Sequence, residues 1–123
     1  MASVIITSGD SKGEFLPLGR RTNVIGRAES LSLQVLDDMV SRKHLRIEFN
    51  EGTGKYYAED LESRHGVFIN KHKIGEATVL SEGDEILLGQ TTLLFTDKDF
   101  DTQESALMHY NRRGEQARVT RME

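Results

Sequence analysis

Leu45-Arg46-Ile47-Glu48-Phe49-Asn50-Glu51-Gly52-Thr53-Gly54-Lys55-Tyr56-Tyr57-Ala58-Glu59 is the stretch that decides the fold. Its first five residues alternate apolar and charged side chains, the period of a half-buried strand. Glu51-Gly52-Thr53-Gly54 supplies the polar, glycine-containing composition of a hairpin turn, and Lys55-Tyr56-Tyr57-Ala58-Glu59 resumes with β-preferring aromatics. The segment therefore reads as strand, turn and strand, with no space for a helical crossover.

Working outward, the same grammar recurs. On the N-terminal side, Val4-Ile5-Ile6 precedes the turn cluster Ser8-Gly9-Asp10-Ser11-Lys12-Gly13, and Phe15-Leu16-Pro17-Leu18 follows it. Pro17, the single proline, cannot donate to a ladder, so this segment is expected at an edge or a strand start. Val24-Ile25 and Leu31 to Leu36 add two short apolar runs. On the C-terminal side come Val67-Phe68-Ile69, a tight polar turn expected at Asn70-Lys71-His72-Lys73, then Thr78-Val79-Leu80, Ile86-Leu87-Leu88 and Thr92-Leu93-Leu94-Phe95. Short strands recurring roughly every 8–12 residues predict an antiparallel sandwich or barrel.

The composition changes after Thr96. Residues 98–123 carry five basic and five acidic side chains and few large apolar ones. Asp101-Thr102-Gln103-Glu104 resembles a capping box, and Leu107, Met108 and Tyr110 suit a narrow apolar stripe. The expected organisation is one domain over residues 1–97 and a polar, helical or disordered extension over 98–123.

At 123 residues the chain can bury a core without help from metals or disulfides, and it has no cysteine to supply either. No stretch approaches the roughly 18 apolar residues of a membrane span, and the start lacks the basic leader of a signal peptide. These features predict a cytoplasmic protein with no membrane partner. The formal net charge of −4 argues against nucleic acid, because a polyphosphate backbone rewards basic domains. Against that acidic body, Arg27, Arg42, Lys43 and Arg64 fall on turns, a pattern suited to one specific anionic ligand.

Three turns concentrate this chemistry: Val24-Ile25-Gly26-Arg27, Ser41-Arg42-Lys43-His44 and Ser63-Arg64-His65-Gly66. Arg27 offers a planar fork of charged donors, Gly26 permits a close backbone approach, Ser41 offers a hydroxyl and Arg64 a second guanidinium. A phosphorylated side chain, with nearly two negative charges and three acceptor oxygens, matches that set. Gly26-Arg27, Ser41-x-x-His44 and Ser63-x-His65-Gly66, in this order and spacing, resemble the signature of the forkhead-associated (FHA) domain. The resemblance covers about residues 3–97 and includes Gly83-Asp84 and the last apolar strand.

That resemblance implies an eleven-stranded β-sandwich whose loops at one end bind a phosphothreonine peptide. It assigns phosphate contacts to Arg27, Ser41, Arg42 and Arg64. It makes Gly26, His44 and Gly66 loop-bracing residues, with His44 acting from behind the site. The family's usual asparagine, which grips the peptide main chain, is replaced here by His65. A neutral imidazole has one donor and one acceptor in fixed places, so it imitates the amide imperfectly.

The expected function is a phosphothreonine-dependent module that recruits a phosphorylated protein or reads a phosphosite on its own polypeptide. The alternative is a phosphate-independent interaction or oligomerisation module acting on a downstream effector, with contacts through the sheet faces or the C-terminal extension. An enzyme is not expected: no nucleophile elbow or Gly-rich phosphate loop occurs, and the four histidines lack metal-ligand spacing. No cofactor or metal is called for. Lys71, His72 and Lys73 form a hairpin tip that reads first as a solvated turn and second as a contact for the peptide.

Overall fold

The computed structural model describes residues 2–97; the expected helix or disorder after residue 98 lies outside the described residues. Eleven strands follow one another: β1 (Ser3–Ile6), β2 (Phe15–Pro17), β3 (Thr22–Gly26), β4 (Leu33–Gln34), β5 (Leu45–Asn50), β6 (Lys55–Asp60), β7 (Val67–Ile69), β8 (His72–Ile74), β9 (Thr78–Val79), β10 (Glu85–Leu88) and β11 (Thr91–Thr96). They form a six-stranded sheet ordered β2-β1-β11-β10-β7-β8 and a five-stranded sheet ordered β4-β3-β5-β6-β9. The architecture is the expected mostly antiparallel sandwich, with one departure: β3 and β4 pair in parallel. No helix among the described residues is long and apolar enough to cross a membrane.

The alternation in β5 sets which face is inside. Leu45 and Ile47 are fully buried, while Arg46 and Glu48 point outward. Arg46 stands opposite Glu59 of β6, and the two side chains form a salt bridge on the outer face, which at such exposure contributes about 0.2–1 kcal/mol. Inward-facing residues of both sheets, among them Val4, Ile6, Ile25, Leu45, Ile47, Ile86, Leu88 and Leu93, make one continuous core. The unbroken apolar run of β1 has a second explanation. Ile5 faces the other way and packs with Leu94 and Phe15 in a small cluster of its own.

Pro17 does sit on an edge: β2 closes one side of the six-stranded sheet and pairs only with β1. The turn after β7 is shorter than the sequence suggests. Only Asn70 and Lys71 form it, with φ of 49° and 72°, and His72 and Lys73 already belong to β8. Two consecutive positive φ values define a type I′ hairpin, which matches the twist of the flanking strands. Asn70 is fixed in this conformation by its amide, which donates to Asp84 Oδ1 at 2.9 Å and accepts from the Glu85 N–H at 3.0 Å. Leu31 to Leu36 yields less strand than expected, since only Leu33 and Gln34 enter the ladder. What remains on either side becomes loop, and those loops build the site.

Candidate phosphopeptide site

Three connections meet at one end of the sandwich: β3 to β4, β4 to β5 and β6 to β7. Backbone hydrogen bonds join the first two directly. The Arg27 N–H donates to Ser41 O at 3.0 Å, Ala28 N–H to Arg42 O at 3.2 Å, and His44 N–H to Ile25 O at 3.0 Å. This approach is so close that a Cβ on residue 26 would lie 2.3 Å from Arg42 O and 2.8 Å from Ser41 O. Gly26 is therefore required by space. Its conformation is one that any residue could adopt.

Arg27 leaves this junction exposed, but it is not free to wander. Its Nε–H donates to Val40 O at 3.0 Å, which aims the guanidinium and leaves the two terminal nitrogens for an anion. Ser41, whose carbonyl receives the Arg27 N–H, carries its hydroxyl on the adjoining loop. The Oγ accepts from the Arg64 N–H at 3.1 Å, so one lone pair is taken and the hydroxyl hydrogen can still turn to an incoming oxygen. Arg42 and Arg64 are exposed. Among the described residues none of Arg27, Arg42, Lys43 and Arg64 forms an ion pair, and the neutralising contact imaginable between Arg27 and Glu29 is not made.

His44 explains how the third loop is held. It is fully buried; its Nδ1 accepts from the Ser41 N–H at 3.0 Å and its Nε2 lies 2.7 Å from Gly66 O. Because Nδ1 receives an amide proton, the ring proton must reside on Nε2, which then donates to the carbonyl. One side chain thus ties the β4–β5 loop to the β6–β7 loop. The Leu61 N–H adds a bond to His44 O at 3.0 Å.

Within the β6–β7 loop, Asp60 Oδ1 accepts from the Ser63 N–H at 3.0 Å and Ser63 Oγ accepts from the Gly66 N–H at 2.9 Å. These are local side-chain turns that replace a ladder. Gly66 takes φ +85°, a left-handed conformation that favours glycine, and His65 before it stands exposed. The loop-bracing expectation for Gly26, His44 and Gly66 thus has a geometric basis, and Arg27, Ser41, Arg42, Arg64 and His65 are brought to one end of the fold.

Several site residues were not anticipated. Ser63 serves the loop internally and not the ligand surface. Asp37 anchors the β4–β5 loop to the β10–β11 turn: Oδ1 accepts from the Met39 N–H, and Oδ2 from the Gln90 N–H and the Thr91 hydroxyl, all at 2.8–2.9 Å. Burial alone would raise its pKa, but those three donors outweigh it and hold the carboxyl below the usual aspartate value. Lys73 is solvent-exposed as expected, but it belongs to β8 and not to the turn, and its stem lies against the β6–β7 loop: a Cβ on residue 66 would stand 3.0 Å from Lys73 Cε. Asp37 is linked to partners 53 and 54 residues away, which no local pattern could announce.

An exposed arginine fork, a serine hydroxyl and a second loop arginine, set by loop-to-loop hydrogen bonds at the end of a β-sandwich, define an anion-recognition module. Residues 23–89 match the family model described as FHA domain, and the chain belongs to that family. FHA domains are phosphothreonine-binding modules. Among similar proteins, FhaB of Mycolicibacterium smegmatis, an FHA domain-containing protein, is 29% identical over 90 residues, covering 73% of this chain and 57% of FhaB. An oxoglutarate dehydrogenase inhibitor of Corynebacterium jeikeium is 31% identical over 94 residues, covering 76% of this chain and 63% of the inhibitor. This chain therefore spans less than two thirds of the length of these curated relatives.

Among solved structures, the FHA domain of an Arabidopsis thaliana protein superposes with TM-score 0.73 at 26% identity, covering 82% of this chain and 88% of that one. Mycobacterium tuberculosis EmbR in complex with a low-affinity phosphopeptide superposes with TM-score 0.69 at 25% identity, covering 80% of this chain and 25% of EmbR.

Proposed function

We propose that this chain is a phosphothreonine-dependent protein-binding module that works in the cytoplasm without catalysis. It recruits a phosphorylated partner, or reads a phosphosite on its own polypeptide. Residues 1–97 are the binding unit, and residues 98–123 are a polar extension or linker that serves an effector or self-association. In this reading Arg27, Ser41, Arg42 and Arg64 replace water around the phosphate, and His65 aligns the peptide main chain.

The observation that carries the proposal is the paired constraint on Arg27 and Ser41. One is aimed by Val40 O and the other is held beside Arg64, so both donors are set before any ligand arrives. Preorganised donors lose little entropy on binding. That EmbR, a similar protein, is known with a phosphopeptide supports the same ligand class here. Isothermal titration calorimetry with one peptide as threonine, phosphothreonine and phosphoserine tests the proposal. Binding confined to the phosphothreonine form is expected. Equal affinity for all three forms would instead support a phosphate-independent interaction module.

A further inference from the structure

Leu36 is 76% exposed, while its neighbour Val35 is 2% exposed. A lone exposed leucine is ordinary, but the backbone that carries this one is fixed. The Val35 N–H donates to Gly26 O at 2.7 Å and the Asp37 N–H to Val35 O at 3.1 Å. Asp37 is in turn clamped by Met39, Gln90 and Thr91. The backbone on both sides is therefore tied down, and the isobutyl group is held out in water.

Its position gives that exposure a use. Leu36 lines the same open cleft as Arg27 and Arg42, together with Glu29 and Asp38. It also lines a second cleft, beyond it, with Asp10 and Met39. Leu36 is thus the apolar side chain shared by the cleft of Arg27 and Arg42 and the one next to it. An extended peptide advances about 3.3–3.6 Å per residue, so a chain with its phosphate at Arg27 that runs along this cleft meets Leu36 within a few residues.

We infer that Leu36 is a specificity-determining residue of this site: it selects an apolar peptide side chain close in sequence to the phosphothreonine. Glu29 and Asp38, on the same cleft, disfavour an acidic one there. The inference rests on the phosphothreonine reading above and adds to it a sequence preference. Covering Leu36 with an apolar side chain removes both from water, whereas a charged side chain would forfeit that gain and meet two carboxylates.

The test is a library of peptides that all carry phosphothreonine and vary in the flanking residues, screened against wild type, Leu36→Ala and Asp38→Asn. Wild type is expected to enrich Leu, Ile, Val, Met or Phe at one flanking position and to deplete Asp and Glu there. Leu36→Ala should lose the enrichment and bind the best wild-type peptide about fivefold more weakly. It should bind an alanine-flanked phosphopeptide as wild type does. Asp38→Asn should relieve the acidic depletion alone. Because Leu36 is exposed, an unchanged melting temperature will accompany its replacement. The same flanking preference in wild type and Leu36→Ala overturns this inference while phosphate dependence stands. Wild type indifferent to phosphate overturns the underlying reading and this inference with it.

Discussion

His44 Nε2 lies 2.7 Å from the carbonyl oxygen of Gly66, across 22 residues of sequence. With Ser41 on its other nitrogen, this buried ring is the joint between the loop that presents Ser41 and the loop that presents Arg64 and His65. Replacing it by alanine leaves a buried N–H and a buried C=O without partners. His44→Ala is expected to cost about 2–4 kcal/mol in urea denaturation. It should also weaken phosphopeptide binding, although His44 is fully buried.

Gly26 is the second structural determinant, and its role is purely steric. A Cβ 2.3 Å from a backbone carbonyl cannot be relieved by turning a side chain; the two loops must separate. Gly26→Ala should cost about 2–3 kcal/mol or more and displace Arg27. Denaturation together with the amide shifts of residues 26–28 and 41–44 would check this, and a native-like spectrum with full stability would refute it.

Arg27 should resist even a conservative replacement. Lysine keeps the charge but has no Nε–H to aim against Val40 O and no fork for two phosphate oxygens. Arg27→Ala and Arg27→Lys are both expected to lower phosphopeptide affinity about tenfold or more, from the loss of about 1.5–3 kcal/mol in charged hydrogen bonding. Titration calorimetry that finds lysine equivalent to arginine would show that charge alone suffices.

Asp37 makes stability depend on acidity. Its carboxyl is held below the usual value in the folded state, so the unfolded chain binds the proton first as pH falls. The contribution is fully present above the unfolded pKa of about 3.9, shrinks below it, and is gone once pH passes the lower folded value. Asp37→Asn should lower stability at pH 7 and flatten the acid limb of the stability profile. Parallel limbs in wild type and variant would contradict this.

His65 stands exposed on the β6–β7 loop, where the proposed function gives it the peptide main chain. Asparagine donates and accepts from one planar group, which an extended main chain can use at once. His65→Asn is expected to raise affinity for a phosphothreonine peptide severalfold and to leave inorganic phosphate binding unchanged. Paired titrations with the two ligands would separate the effects.

Much of the architecture was written locally. The alternation at Leu45 to Phe49 gave β5 and its buried face, and Pro17 marked an edge because a missing N–H has only one local meaning in a sheet. Hairpins such as β5–β6 close over a few residues, so their signals sit side by side. The parallel pairing of β3 with β4 had no such signal, and the start of β8 was obscured because His72 and Lys73 are as polar as the turn before them. The site divides in the same way. Arg27, Ser41 and Arg64 carry groups whose chemistry is legible one residue at a time. Asp37 owes its role to partners brought in from β10–β11, and Lys73 to a neighbouring strand that carries its stem over Gly66.

The central claim is that three loops share one phosphate. It is tested most directly by a 1H–15N titration with a phosphothreonine peptide and its unphosphorylated twin. The account predicts large shifts at Arg27, Ser41, Arg42, Arg64 and His65 with the phosphopeptide, and little response to the twin. Equal responses to both peptides, or shifts centred on the outer sheet faces, would contradict it.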